Sequence, residues 1–364
     1  MSRLSRTGST SATGLPDGGG SVGTALQFQP LFGEGGWIPI LPLDHAEAED
    51  EQDSESAAEL LGYEQDTDSW RPLTVGGEAT NPPVRFVDGS VSSVTAGLCS
   101  VDGVRRPVLV SSLGAAEMFL EDRRLYRPVA GYRVIVAAAL VSNGIPSRLL
   151  DALREELFGL GIQLIALESA EMTANFEILR RRTWDFLKQE MEGLEREILL
   201  ARPDTPTLAD GLLERRLTTL ESHRQPVVGM VKRNLRQYLP NSLAPMLYEL
   251  HAGQRSPAFI IKTPNAELVS WYLKIVDGSI GPGSGLIRLA VPRDYLEKEF
   301  TGSSRFRELS GISQRVCALR CREESYARHS VSLEPIVRLE EQLHALLPGV
   351  DRFAARLRKY LTKT

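Results

Sequence analysis

The sequence predicts a mixed α/β protein in which one sheet is flanked by helices. Two observations lead to this prediction. Between residues 84 and 114, three short apolar segments follow one another with glycine or Asp-Gly between them, which is typical of an antiparallel meander. Farther along, segments with leucines three or four residues apart separate further short apolar runs, as expected for helices that alternate with strands.

The composition is that of a globular protein. The chain has 364 residues, of which 42% are hydrophobic and 24% charged. Its longest apolar run, at 134–141, is too short to span a bilayer, and its first residues lack the apolar core of a secretory signal. Three cysteines without a CxxC pair provide neither a disulfide framework nor a thiolate zinc site. We therefore expect a cytoplasmic protein that does not contact the membrane.

The first 80 residues are expected to form a mostly disordered arm. Residues 1–25 are rich in Ser, Gly and Thr, and an apolar island with three prolines follows at 26–43. The run 44–68 contains 11 acidic residues and no Lys or Arg, which leaves 36 acidic and 42 basic residues elsewhere. The acidic run is interpreted as a solvating linker, with a DNA mimic or a partner-docking tail as alternatives. A basic body is compatible with nucleic-acid binding.

One domain is expected over residues 81–350, with a basic tail at 351–364. Strands are predicted at 84–88, 90–103, 106–114, 207–213, 226–232, 256–263, 267–276 and 286–292. Helices are predicted at 147–161, about 168–200 and 334–347. Residues 132–141 fit either a strand or a buried helix. A three-strand meander followed by strands that alternate with helices is the order of ribonuclease-H-like folds.

Asp-Gly pairs follow three of the apolar runs, at Asp88, Asp210 and Asp277. Asp-Gly is also a strong hairpin-turn signal, and the strands on both sides of Asp277 favour a turn there. A turn is also plausible at Asp88. Asp210 ends a strand before the segment LLERRLTTLESH, which has a helical pattern, so Asp210 is either an active-site residue or a helix N-cap.

Two carboxylates at strand ends can share divalent metal ions, and Mg²⁺ and Mn²⁺ prefer oxygen ligands. Glu190 lies on the edge of the apolar seam of the long helix and is either a further ligand or an ordinary seam-edge residue. Glu192 and Glu195 lie farther round the helix and are expected to be exposed to solvent. Lys232, which ends the strand at 226–232, is a candidate for holding a phosphate or an ordinary strand-end lysine.

Arginines near these positions are candidates for neutralising DNA phosphates, with a solvated surface as the alternative. They are Arg180, Arg181 and Arg182 in the long helix and Arg233 and Arg236 after Lys232. Trp271 and Tyr272 are expected to pack in the core, and stacking on single-stranded bases is the alternative. The sequence contains no GxxxxGK[ST] or HExxH motif, no GxGxxG motif after a predicted strand, and no GxSxG nucleophile elbow.

Several of these segments together resemble the NurA-type nuclease family. They are FVDGS at 86–90, LADGL at 208–212, VVGMVK at 227–232 with Tyr238 and Leu239 behind it, RSPAF at 255–259, SWYL at 270–273 and LEPIVRLE at 333–340. The resemblance extends over roughly residues 80–350. It implies a ribonuclease-H-like fold and a nuclease that depends on Mn²⁺ or Mg²⁺. It also implies a homodimer that works with a hexameric HerA-type ATPase in DNA end processing.

By the same resemblance, Asp88, Glu190 and Asp210 are the expected metal ligands, with Glu192 in reserve, and Lys232 matches the lysine of the family. The chain also departs from the family. Ala290 stands where bacterial members often have an acidic residue, and Tyr326 stands near the place of an expected Asp. Glu323 and Glu324 are possible substitutes for that Asp.

Three functions follow as hypotheses. The first is a metal-dependent DNA nuclease in which water attacks the phosphodiester and Lys232 steadies the phosphate. The second is a degenerate adaptor that binds DNA and the ATPase without cleaving, which a missing C-terminal carboxylate would favour. The third is an actin-like phosphotransferase in which the segment from Asp88 to Ser90 forms a phosphate loop.

Overall fold

The structure is a computed structural model that describes residues 60–361, apart from 102–103, 170–172, 215, 218–221, 233–237, 240–241, 265, 278–283 and 323–330. The island at 26–43 and the acidic residues before 60 therefore lie outside the described residues, as do Arg233, Arg236, Glu323, Glu324 and Tyr326. In the described part, thirteen strands form one mixed sheet.

The strands and helices have the following bounds. The strands are β1 (Leu60–Gly62), β2 (Leu73–Thr74), β3 (Arg85–Val101), β4 (Val104–Glu121), β5 (Arg124–Tyr126), β6 (Tyr132–Val141), β7 (Gln163–Leu167), β8 (Thr207–Asp210), β9 (Val227–Val231), β10 (Gln254–Arg255), β11 (Phe259–Lys262), β12 (Glu267–Lys274) and β13 (Leu286–Pro292). The helices are α1 (Ser147–Gly159), α2 (Phe176–Leu200), α3 (Ala244–Glu249), α4 (Arg293–Glu299), α5 (Ser304–Ala318), α6 (Glu334–Leu346) and α7 (Val350–Leu361).

The predicted fold class is confirmed, because the middle of the sheet has the ribonuclease-H-like order. Strands β6, β4 and β3 form an antiparallel meander. β3 then pairs in parallel with β8, and β8 in parallel with β9. The chain passes through α1, β7 and α2 before it enters β8. Beyond β9 the sheet continues through the antiparallel strands β13, β12, β11 and β1.

The meander is longer than predicted, because β3 is one uninterrupted strand. Residues Arg85 to Val101 pair with β4, with a single irregularity between Thr95 and Gly97. The segment from Asp88 to Ser90 lies inside this strand, where it pairs with Ala116 to Gly114. The turn at Asp88 and the phosphate-loop interpretation are therefore both wrong. Residues 132–141, which were ambiguous in the sequence, form strand β6.

The two faces of the sheet are covered by different helices. Phe86 on β3 belongs to an apolar core with Leu339 and Leu343 of α6. Val87, the next residue, packs with Ile198 and Leu199 of α2. Because side chains alternate along a strand, Asp88 lies on the α6 face and Gly89 on the α2 face. Trp271 and Tyr272 are buried, as the core interpretation predicted.

Three segments differ from expectation. The described residues between Asp210 and β9 contain a 3₁₀ turn, Ser222–Arg224, and no α-helix, so the predicted helix and the N-cap role of Asp210 are wrong. Residues 60–80 are joined to the domain, because β1 pairs with β11 and Glu64 accepts two hydrogen bonds from buried Arg255, at 2.7 and 2.8 Å. Residues 351–361, expected in a basic tail, lie in α7, whose Ala354 and Leu357 are buried.

A buried ion pair joins the start of β3 to its neighbours. The Nε of Arg85 donates to Oε2 of Glu117 on β4 at 2.6 Å, and both side chains are buried. The same guanidinium donates to carbonyl oxygens at the end of α2 and to Oγ1 of Thr207, the first residue of β8. Arg85 therefore links three elements that lead to the candidate site.

We expect Glu117→Gln to lower the free energy of unfolding by about 3 to 5 kcal/mol, because it leaves the guanidinium of Arg85 buried without a carboxylate. Glu121→Gln, the same change on an exposed residue of the same strand, should shift it by no more than about 0.5 kcal/mol. Urea unfolding of both variants measures the difference. Equal values for the two variants would contradict this role of Arg85.

Candidate metal centre

Two strands and one helix bring three carboxylates together. Asp88 lies on β3 and Asp210 is the last residue of β8. Because Val87 pairs with Ala209 in parallel register, Asp88 and Asp210, which follow them, lie side by side on the α6 face. Helix α6 crosses that face and contributes Glu340. Ligand oxygens of these three residues lie within 4.8 Å of one another.

Lys232 completes the cluster from the neighbouring strand. It follows β9 and lies two residues beyond Met230, the partner of Asp210, so it lies on the same face. Its Nζ is 2.7 Å from Oδ2 of Asp210 and 3.2 Å from Oε1 of Glu340. Burial lowers the pKa of this lysine, but the three carboxylates outweigh burial and raise its pKa above the usual value. The ammonium therefore stays charged.

Negative charge exceeds positive charge in this group. Burial raises the pKa of Asp88 well above its usual value, Asp210 raises it further, and Lys232 opposes the increase. The Oδ1 of Asp88 accepts a hydrogen bond from the amide of Gly89 at 2.9 Å. One lysine does not balance three carboxylates, so the group favours a second cation. The all-oxygen donor set suits Mg²⁺ or Mn²⁺.

Glu340 was not among the ligands predicted from sequence, although the sequence contained a signal for it. In α6, Glu340 lies three or four residues from each of three buried residues, Ile336, Val337 and Leu343. It therefore occupies the apolar stripe of the helix, where a carboxylate is costly unless it is paired or bound to a metal. It is also the last residue of the segment LEPIVRLE, on which the family resemblance partly depends.

The carboxylate of α2 that faces this region is Glu195, which is buried, so the expectation that Glu195 is exposed is wrong. Burial raises its pKa to about 7, although Arg216 lowers it. Glu190 does not belong to the carboxylate group. It precedes Glu195 by five residues and so points about 140° away from it round the helix. Glu192, the reserve ligand, does not belong to the group either.

The predicted DNA-binding arginines that the structure describes lie near the start of α2. Arg181 is exposed, and Arg182 is partly buried and donates to Oγ of Ser169 at 2.7 Å. Their role toward DNA stays a prediction. Ala290 is buried on β13 and packs with Val87, Ala209 and Leu268.

Comparison with known proteins gives a likeness of fold. No family model matches the chain, and no curated protein matches it. Among solved structures, it is similar to the crystal structure of the NurA nuclease from Sulfolobus solfataricus, with a TM-score of 0.43 and 11% sequence identity. The alignment covers 81% of this chain and 88% of that chain. At this TM-score and identity, the likeness assigns neither a family nor an activity.

No helix among the described residues is long and apolar enough to cross a membrane. The three cysteines are unpaired with one another, and Cys99 and Cys321 are buried. Burial raises the pKa of the Cys99 thiol to about 12, which makes it unreactive.

The fold and the carboxylate cluster together define a class of protein. It is a ribonuclease-H-like α/β protein with a candidate carboxylate metal centre.

Gly89 allows α2 to approach β3 behind Asp88. A Cβ at this position would lie 2.1 Å from Sδ of Met191 and 2.8 Å from Oε1 of Glu195. Gly89→Ala should therefore lower the free energy of unfolding by about 1 to 3 kcal/mol, because Arg216 holds the Glu195 carboxylate in place.

Gly193→Ala on α2 is the matched control for that change. A Cβ there meets only Nη2 of Arg196, at 3.9 Å, so the change should raise the free energy of unfolding by about 0.5 to 1 kcal/mol through helix propensity. Thermal or urea unfolding tests both variants. A Gly89→Ala protein as stable as the wild type would show that α2 does not pack tightly on β3.

Proposed function

We propose that this protein is a divalent-metal-dependent nuclease that hydrolyses phosphodiester bonds in DNA. The observation that supports this most is the convergence of Asp88, Asp210 and Glu340 within 4.8 Å beside Lys232. Carboxylates from the first strand of the meander, the next parallel strand and a C-terminal helix thus meet at one point of the sheet. Such clusters hold the metal ions that assist phosphoryl-transfer chemistry.

In this proposal, Asp88, Asp210 and Glu340 hold Mg²⁺ or Mn²⁺. When bound, the ion would polarise the phosphoryl oxygen and lower the pKa of the attacking water. Asp88 must be ionised to bind, so metal uptake releases any proton that its raised pKa retains. Lys232 remains beside the carboxylates, and its ammonium neutralises charge on the phosphate as the P–O bond breaks.

The motifs that resemble the NurA-type family support more specific proposals. They are DNA end processing, a homodimer, and a HerA-type hexameric ATPase as partner. The arginines Arg181, Arg182 and Arg233 are proposed to contact DNA phosphates. A cytoplasmic location is part of the same proposal, since DNA and the ATPase are found there.

The adaptor hypothesis depended on a missing C-terminal carboxylate. Ala290 and Tyr326 were the positions that suggested the loss, but α6 provides Glu340 from a different position. The observation that favoured the adaptor therefore no longer does so. If the purified protein shows no metal-dependent cleavage of DNA, the adaptor hypothesis is favoured again.

The direct test is cleavage of end-labelled single- and double-stranded DNA with Mn²⁺, Mg²⁺ or EDTA. We expect activity that EDTA abolishes, and a loss of about 100-fold or more in Asp88→Asn, Asp210→Asn and Glu340→Gln. Glu341→Gln is the matched control for Glu340, because Glu341 is the neighbouring residue and is exposed.

Glu190→Gln separates the sequence-based assignment from the structural one. It should keep activity within about threefold of the wild type, because Glu190 lies away from the carboxylate group. A loss as large as that of Asp210→Asn would return Glu190 to the ligand set. If all the variants fold and Glu340→Gln retains full activity, the three-carboxylate centre is refuted.

A further inference from the structure

A buried ion pair lies directly behind the carboxylate cluster. The Nε and Nη2 of Arg216 are 2.7 and 2.5 Å from Oε2 of Glu195, and the two side chains are 6% and 1% exposed. The Nη1 of Arg216 donates to the carbonyl of Leu212 at 2.6 Å. A guanidinium stays protonated in proteins, and two of its donors on one oxygen indicate an ionised partner.

This pair packs against the glycine that follows each aspartate of the cluster. Oε1 of Glu195 is 2.8 Å from the position that a Cβ on Gly89 would take. Nη1 and Nη2 of Arg216 are 3.0 and 3.1 Å from the corresponding position on Gly211, whose φ is +102°. One member of the pair therefore packs behind Asp88 and the other behind Asp210, and a larger residue would separate them.

The pair also affects the charge of the cluster. Glu195 lies behind Gly89, the residue after Asp88, and Arg216 lies behind Gly211, the residue after Asp210. Without Arg216, Glu195 would be a fourth carboxylate close to the other three. With Arg216, the pair adds almost no net charge, and the Oε2 of Glu195 is already committed to two donors.

We propose that Glu195 and Arg216 are positioning residues that set the spacing of Asp88 and Asp210, and that Arg216 keeps Glu195 out of the metal-ligand set. This inference rests on the proposed metal centre and goes beyond it. The ion would be held by Asp88, Asp210 and Glu340, and the buried pair would fix the affinity of the site through geometry and charge balance.

The test is Mn²⁺ binding measured by calorimetry on the full-length protein without DNA. Glu195→Gln should weaken binding about tenfold, because it leaves the positive charge of Arg216 beside Asp210. The double variant Glu195→Gln/Arg216→Gln removes both charges but keeps a polar side chain behind each glycine, so its affinity should return to within about threefold of the wild type. Arg216→Lys, which keeps the positive charge, should bind Mn²⁺ more tightly than Glu195→Gln does.

Three results would overturn the inference. If the double variant binds as weakly as Glu195→Gln, the unbalanced charge of Arg216 is not the cause of the loss, and the pair does not act on the site through charge balance. If neither variant changes Mn²⁺ affinity, the pair is purely structural. If the wild type does not bind Mn²⁺, there is no site for the pair to position. Cooperative thermal unfolding shows that each variant is folded, and the double variant has no unpaired buried charge.

The exposed pair Asp151 and Arg154 on α1, whose atoms are 2.5 Å apart, is the matched control. Asp151→Asn/Arg154→Gln removes the same types of charge without a change in Mn²⁺ affinity. Because binding is measured without DNA, a protein that follows the predicted pattern but cleaves no DNA would refute the nuclease and leave the positioning role intact.

Discussion

The concentration of like charge at one point of the sheet is the constraint on which the rest of this structure depends. Asp88 and Asp210 are adjacent because β3 and β8 pair in parallel register, and Glu340 is added by the helix that covers that face. Like charges this close are unfavourable in a buried site unless cations offset them. Lys232 offsets part of the charge from the strand beside β8. A divalent ion would offset the remainder.

Much of the surrounding structure holds these groups in place. Arg85 ties the start of β3 to the end of α2 and the start of β8. Glu195 and Arg216 pack behind the two aspartates at the glycines that follow them. Both devices are buried ion pairs, which are costly to break by removing one partner. A buried ion pair therefore holds the backbone in each of these two places, and the carboxylates are held in position before any ion binds.

The sequence was sufficient to predict the fold class and to select the two aspartates and Lys232 as candidates, because apolar periodicity and polar residues that follow apolar runs are local signals. It did not identify Glu340, because α6 packs on the site through contacts that are distant along the chain. It favoured Glu190 over Glu195, because helix periodicity shows which residues share a face but not which residue meets a partner. The segment after Asp210 was mistaken for a helix, since leucine spacing alone does not show that the described residues there are not helical.

The most direct test of the account is the position of Mn²⁺ in crystals of the protein grown or soaked with that ion. Anomalous scattering locates manganese without any assumption about activity. The account predicts a peak at coordination distance from carboxylate oxygens of Asp88, Asp210 and Glu340, with the Glu195 carboxylate still bonded to Arg216. A protein that binds no manganese at this point, or binds it through Glu190, would contradict the central claim.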